Sequence, residues 1–586
     1  MRAMEFAERT GAFRRQCVAS LLVLCLLVPV ASLIGQVGRS GITGTVTDPA
    51  GAIVPNAKVT LKNEETNVLW TTVSTDTGVY ILRNLPPGSY TVTVEGSGFE
   101  KLVLEHVQLE VEKVSSADVK LTLGAVTQQI QVTATPTVLN TTSGTIGNLV
   151  SEKELETLPL NGRSWINLNY LTPGATTFIG LSMNFSNITE SVAPGNVVLN
   201  GLRGGNNLFF IDGVSTADVE DFIISVYPPL DALAEYRTQS GNATAEYFGG
   251  AGAMISAATK SGTNGFHGDV WEYIRNDVLD ARDFFTSSVP PLKRNQFGFT
   301  FGGPIRKDKT FFFGSYEGFR QRLGIAFVGD YPTAAMRSGD FSAISTQLIN
   351  PYTKQPVPGN NVSNLINPLS TQWLSHWIPL PNTDVPIGSG NYRRTAVRPI
   401  NYDSYIVRGD HHFSEKSSIF VRYLWSKASS DQPVIIPSWT RHQVRPGYNI
   451  AADYTRTISP TTVAQGRFGY HRYDDHEPVG SISNANMETE LGVLGAAGFS
   501  TDADSQLGVP PIGVTGFSAF GHSYFGRPRR IYNDSFYYDG LLFLTRAGHA
   551  MKNGSQRELC SGSLPGNDPS DRKLELYRIL HGRWFC

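Results

Sequence analysis

Cysteine is almost missing from the body of this 586-residue chain: only Cys17, Cys25, Cys560 and Cys586 occur, all toward the two ends. No disulfide framework or thiol chemistry can serve the long stretch between them. Charge is sparse as well, at 17% of residues, and 49 Lys and Arg against 51 Asp and Glu give a net −2. That balance lacks the basic footprint a nucleic acid requires, so no nucleic-acid partner is expected. Beyond residue 36 no apolar run approaches ~18 residues, which excludes a spanning helix and leaves a closed β-barrel as the one way into a bilayer. Catalytic signatures are missing too. Residues 37–124 hold no His-x-x-Glu or His-Glu-x-x-His pair, and no Ser/His/Asp order or paired-carboxylate motif stands out along the chain. Phe248-Gly249-Gly250-Ala251-Gly252 has neither the spacing nor the following Lys-Ser/Thr of a phosphate loop. Neither an enzyme nor a bound cofactor is expected.

What the chain does have is 58 glycines, 33 prolines and 11% aromatic residues, the profile of a turn-rich β protein. It opens with Arg9, Arg14 and Arg15, then the apolar run Val18 to Ile34 broken by Pro29, then small residues at Ala31, Ser32 and Gly35. That order predicts a secretory signal over residues 1–36, cleaved near Ser32 to Gln36.

Residues 37–124 alternate apolar with polar at Ile42 and Val46, Val59 and Leu61, Tyr90, Val92 and Val94, Val107, Leu109 and Val111, and Val119, Leu121 and Leu123. Turns fall at Asp48-Pro49-Ala50-Gly51, Asp76-Thr77-Gly78 and Pro86-Pro87-Gly88. Period two interrupted by such turns predicts a small β-sandwich. The same segment, with Ile42-x-Gly44-x-Val46-x-Asp48, Leu85-Pro86-Pro87-Gly88-x-Tyr90 and Gly98-Phe99, resembles the carboxypeptidase regulatory-like domain. The resemblance implies a transthyretin-like fold shared with carbohydrate-binding modules, hence a sugar-related role at fold level only.

A linker over residues 125–145 carries Gln128-Gln129-Ile130-Gln131-Val132-Thr133-Ala134, a short β-prone stretch that could add to the edge of a partner sheet. Residues 146–262 then read as a compact α/β insert. Ser151 and Glu154 make a capping box for a short helix, and Asp212-Gly213 after Phe209-Phe210-Ile211 reads as a hairpin turn. With Leu160-Asn161-Gly162-Arg163, Asn200-Gly201-Leu202-Arg203-Gly204-Gly205, Pro229 to Glu235 and Thr259-Lys260-Ser261-Gly262, the segment resembles the plug of TonB-dependent outer-membrane receptors. The resemblance makes Ile130, Gln131, Val132, Thr133 and Ala134 the candidate TonB box, the strand on which TonB pulls.

From residue 263 to 545 the text turns to aromatic strands. Phe297, Phe299 and Phe301 alternate with Gln296, Gly298 and Thr300, and Ile419, Val421, Tyr423 and Trp425 alternate around Arg422. Lipid-facing strands of ~10 residues need this dyad. Trp271-Glu272-Tyr273, Asn295-Gln296-Phe297-Gly298, Phe301-Gly302-Gly303-Pro304-Ile305 and Arg408-x-Asp410-His411 resemble the barrel of the Oar-like TonB-dependent family. Asp330 to Asn401 is polar and Pro- and Asn-rich, as an extracellular loop would be. His411-His412 point to opposite faces of a strand, which argues against one metal site using both. Residues 546–586 read as an atypical tail without alternation, and with about eight to ten strands placed where ~22 would enclose a plug, a frameshift or shortened reading frame near residue 550 is the expectation.

The expected fold is therefore mainly β: an N-terminal transthyretin-like or carbohydrate-binding-like sandwich, an α/β plug and part of a transmembrane β-barrel. The resemblance implies a receptor or transporter of the outer membrane, with TonB, membrane lipid and an external, carbohydrate-related ligand as partners. A surface carbohydrate-binding or adhesion protein that transports nothing is the reading from another class.

Overall fold

The computed structural model describes residues 40–124, 129–132, 145–177, 197–202, 206–217, 224–241, 252–282, 284, 288–437, 440–477, 513–519, 529–546, 549–562 and 577–579. The predicted signal, residues 1–36, lies outside the described residues, as do Thr133 and Ala134.

The first unit comprises β1 (Ser40–Thr47), β2 (Lys58–Asn63), β3 (Leu69–Val73), β4 (Val79–Leu85), β5 (Gly88–Glu95), β6 (Lys101–Leu109), β7 (Val114–Ser116) and β8 (Val119–Lys120). One sheet is ordered β4-β1-β7, with β8 also on β1; the other is β3-β2-β5-β6, extended by β9 (Gln129–Val132). The alternating positions Val59, Leu61, Tyr90, Val92 and Val94 are fully buried between the sheets, which is the sandwich core the period-two pattern predicts. Leu123 departs from it at 67% exposure, because it lies past β8 and only bridges Phe99 at the rim. At Gly44 a Cβ would stand 2.0 Å from the Ala117 carbonyl oxygen, so β1 can pass the β7–β8 segment only without a side chain there.

The insert holds β10 (Ile146–Val150), α1 (Glu152–Thr157), β11 (Ala175–Thr177), β12 (Val197–Leu199), β13 (Leu208–Ile211), β14 (Val214–Ser215), β15 (Leu233–Gly241) and β16 (Met254–Thr259). Its main sheet is ordered β10-β15-β16-β13-β14, with β13 and β16 parallel. The Glu154 carboxylate accepts from both the backbone N–H and the hydroxyl of Ser151 at 2.8 Å, anchoring α1. All of β16 is buried, so the sheet is covered on both faces, and its core is continuous with Phe313, Ile406 and Leu424 of the next unit. That burial is what a plug enclosed by a wall requires.

Among the described residues the wall is a ten-stranded antiparallel meander: β17 (Val270–Asn276), β18 (Leu292–Arg306), β19 (Thr310–Gly329), β20 (Tyr392–Ser414), β21 (Ser417–Pro433), β22 (Thr440–Ser459), β23 (Thr462–Glu477), β24 (Arg529–Arg546), β25 (His549–Gly562) and β26 (Tyr577–Ile579). Phe299 and Phe301 face outward at 47% and 49% exposure, while Gln296, Thr300 and Arg422 are buried inward. This is the lipid-out, polar-in dyad of a membrane barrel. Connections alternate between tight reversals (307–309, 415–416, 460–461) at one end and longer stretches (277–291, 330–391, 434–439, 478–528) at the other.

The loop expected over Asp330 to Asn401 is shorter, because β19 extends to Gly329 and recruits β20 from Tyr392 as its partner. The remaining excursion folds on its own helices, α2 (Ala334–Arg337) and α3 (Pro368–Trp377), with Tyr331, Trp373, Trp377, Tyr392 and Ile436 in a small core. Strand pairing also runs past residue 545. β25 follows β24 from the pair Arg546–His549 to Asn533–Gly562, since main-chain hydrogen bonds continue wherever a tight reversal and an open edge exist, with or without side-chain alternation.

Candidate site: the plug hairpin, its barrel arginines and the linker strand

β13 and β14 pair Ile211 with Val214, leaving Asp212 and Gly213 as a two-residue turn with φ of 48° and 78°. Both residues sit in the left-handed region that a type I′ turn demands, where Asp and Gly are the residues of least strain. The turn carries Asp212 into the interior of the barrel wall. Its carboxylate accepts from the Thr259 backbone N–H at 3.0 Å and the Thr259 hydroxyl at 2.8 Å, which fixes it to β16.

Three arginines of the wall converge on this turn. Arg408 of β20 donates to Asp212 at 3.2 Å, and Arg422 of β21 places its Nε 3.0 Å from the other carboxylate oxygen and donates from Nη2 to the Ile211 carbonyl at 3.2 Å. Arg467 of β23 donates to the Gly213 carbonyl at 3.2 Å. Each cation has its own anchor. Arg408 grips Asp410 through two bonds of 2.9 and 2.8 Å, Arg422 donates to Asn449 at 2.6 Å, and Arg467 donates to Asp453 at 2.9 Å. The second oxygen pair is shared further, since Ser261 at the end of the plug donates to Asp410 at 2.8 Å. Three guanidinium groups thus meet four carboxylates, Asp539 lying 3.8 Å from Arg467 as the fourth, in a buried cluster where an unpaired member would be costly.

Further polar contacts join plug and wall beside the apolar core they share, and Val214 of the hairpin packs with Phe420 and Ala451. Tyr402 and Ser404 both donate to the Tyr227 carbonyl, at 2.9 and 2.7 Å, and Ser225 bonds the His471 ring at 2.8 Å. The polar part of this interface can exchange its hydrogen bonds for water, whereas parting the apolar contacts exposes oil-like surface.

The sandwich is fastened to both. On the plug, Arg237 donates to the Val111 carbonyl at 2.9 Å and pairs with Glu110, Glu235 accepts from the Val111 N–H, and Ser256 donates to Glu112 at 3.2 Å. Burial pushes the Glu235 carboxyl up to about 7, with the Val111 N–H opposing and the Glu110 carboxylate adding to the rise. On the wall, Asn84 donates to Gln465 at 2.9 Å, Thr71 donates to Glu415 at 3.1 Å, and Trp70 meets the His412 ring edge-on at 5.4 Å. Glu415 lies in one of the tight reversals, so the sandwich occupies the short-turn end of the barrel.

Of the five residues in the candidate box, Ile130, Gln131 and Val132 lie in β9, which runs parallel to β6 with Gln129 opposite Lys101 and Val132 opposite Leu104. They are held by the sandwich and not by the plug hairpin. The residues that sequence reasoning missed are Thr259, Arg408 and Arg422 as partners of Asp212, and Arg467 as the partner of the Gly213 carbonyl. A signal was present: inward-facing charge in the middle of an otherwise aromatic strand, as at Arg422 between Val421 and Tyr423.

Strands with lipid-facing aromatics, a tight-turn end and an insert packed against the inward face define an outer-membrane barrel with an internal plug. The chain belongs to the outer membrane beta barrel domain family, whose model matches residues 258–562, more than half its length, and it resides in the cell outer membrane. Residues 41–122 match the carboxypeptidase regulatory-like domain. The chain is a homologue of the TonB-dependent transporter Oar of Myxococcus xanthus, 28% identical over 299 residues, which is 47% of this chain and 26% of the relative. Among solved structures, it is similar to the outer membrane transporter YddB of Escherichia coli, with 11% identity and a TM-score of 0.43 over 71% of this chain and 48% of that one. A ferric enterobactin receptor (PfeA) mutant of Pseudomonas aeruginosa gives 10% identity and 0.41 over 72% and 49%. The chain therefore spans about a quarter of the length of the curated relative and about half of these structures.

Proposed function

We propose that this protein is the plug-bearing portion of a TonB-coupled receptor that imports an external, carbohydrate-related ligand across the outer membrane. No bond chemistry is part of the reading. The sandwich (37–124), linker (125–145), plug (146–262) and barrel (from 263) act as retainer, handle, gate and wall. The observation that carries the proposal is the set of polar ties between the plug hairpin and the barrel arginines: they are hydrogen bonds that water can replace, which supports a gate moved by an applied pull. Residues Ile130 to Ala134 are the handle. β9 already adopts the extended, edge-paired conformation in which TonB would take it, so engagement exchanges one set of main-chain hydrogen bonds for another.

The test is binding of the purified periplasmic domain of the host's TonB to the chain in detergent, with and without deletion of Gln129 to Ala134. Binding by the intact chain and its loss on deletion support the proposal. Equal binding by both would remove the box assignment, and no binding by either would remove TonB as the partner.

A further inference from the structure

We propose that Lys293 and Arg322 form a phosphate-binding clasp on the lipid-facing wall, occupied by a phosphorylated glycolipid of the outer leaflet. The inference rests on the barrel and its orientation and is independent of what the receptor imports.

The height of the clasp follows from the strands. An apolar band ~25 Å tall, crossed at a tilt of ~40° with ~3.3 Å per residue, takes about ten residues. Counted from Ile305, the lowest outward apolar residue of β18, the band ends near Asn295, and Lys293 is the next outward position. On β19 the same count from Phe312 ends at Arg322. Both cations therefore emerge together at the headgroup level. The sandwich holds the short-turn end, which in membrane barrels is periplasmic, so this level belongs to the outer leaflet.

Lys293 and Arg322 are also direct cross-strand partners. Side chains so placed have Cβ atoms about 5 Å apart, and like charges in that position repel. Neighbouring outward cations have carboxylate partners: Arg320 pairs with Asp403 at 2.6 Å and Arg472 with Asp534 at 3.5 Å. No ion pair among the described residues involves Lys293 or Arg322. Asn401 of β20 instead accepts from Arg322 Nη1 at 3.1 Å, a neutral partner that leaves its charge uncancelled. A single phosphate can accept charge-assisted bonds from both cations and cancel their repulsion. Just below, Phe297 and Tyr316, 6.2 Å apart, offer the apolar surface on which an acyl chain attached to that phosphate would lie.

Native mass spectrometry of the full chain in mild detergent tests this with bis-phosphorylated lipid A, the same lipid stripped of both phosphates, and inorganic phosphate as probes. Expected is retention of lipid A, weakened at least about tenfold in the Lys293→Gln/Arg322→Gln double variant and changed less than about twofold in Lys427→Gln. Lys293→Arg alone should bind as the parent does, so a double variant that fails to fold leaves the test intact: loss of binding in Lys293→Arg would count against the clasp. Equal binding of the stripped lipid, or an unchanged double variant, overturns the proposal. Occupancy by inorganic phosphate alone at equal concentration would overturn the lipid assignment.

Discussion

Asp212 and Arg422 meet 3.0 Å apart across the plug–barrel boundary, in surroundings where the Arg422 side chain is wholly buried. A buried pair deprived of one partner leaves the other charged and unsolvated, at a cost of about 3–5 kcal/mol. Asp212→Ala should therefore loosen the plug without unfolding the wall, because the Asp410 and Asp453 anchors of Arg408 and Arg467 remain. Hydrogen exchange at residues 208–215 should accelerate markedly while β18 to β21 stay protected. Unchanged protection of the hairpin would show that the carboxylate does not hold it.

The sandwich should respond to its core as an ordinary soluble domain does. Leu61 is completely buried between its sheets, and Leu61→Ala removes several methylene equivalents from a packed site, costing about 3 kcal/mol. Gly44→Ala should be worse, since the added methyl meets the Ala117 carbonyl on the adjoining strand and forces β1 from its register. Urea unfolding followed by Trp70 fluorescence, with its ring packed against Tyr90, reads both changes. A smaller loss for Gly44→Ala than for Leu61→Ala would contradict the close approach.

Much of this architecture could be read from the chain alone, for identifiable reasons. Alternation at Val59, Leu61, Val92 and Val94 is local and survives in the sandwich, and the Asp212-Gly213 turn follows from the left-handed backbone those residues tolerate. The partners of the Asp212-Gly213 turn could not be read, because Arg408, Arg422 and Arg467 lie roughly 200 to 250 residues away, and nothing in local pattern says which inward side chains face the plug. The ends of strands failed for a related reason. Tyr392 and His549 join the sheet because β19 and β24 offer open hydrogen-bonding edges, a property of the partner strand and not of the residues themselves.

A cross-link can hold the linker strand where it lies. Lys101 and Gln129 are register partners on β6 and β9, and neighbouring strands bring such Cα atoms about 4.8 Å apart, within disulfide reach. With the native cysteines replaced by serine, Lys101→Cys/Gln129→Cys should oxidise readily, lose binding to the TonB periplasmic domain, and regain it on reduction. Oxidised protein that still binds would mean that release of β9 from the sandwich is not needed. Failure to oxidise would mean that the strand does not rest on β6.

The seam between sandwich and plug should be sensitive to pH through Glu235. Burial raises this carboxyl from the usual 4.5 to about 7, so between those values the docked seam binds a proton that the separated one releases. Protons bound preferentially by one state stabilise it as pH falls. Docking should accordingly tighten from pH 7 toward pH 4.5 and reach its weakest level above 7, where the buried carboxylate is ionised and only the Val111 N–H and the Arg237 charge offset its desolvation. Glu235→Gln removes the titration, so its docking should be nearly flat over the same window. Exchange of the Val111 amide, measured at several pH values in both proteins, reads this directly. An amide equally protected at about pH 5 and about pH 8 in the parent would place the Glu235 carboxyl in its ordinary range and the seam beyond the reach of pH.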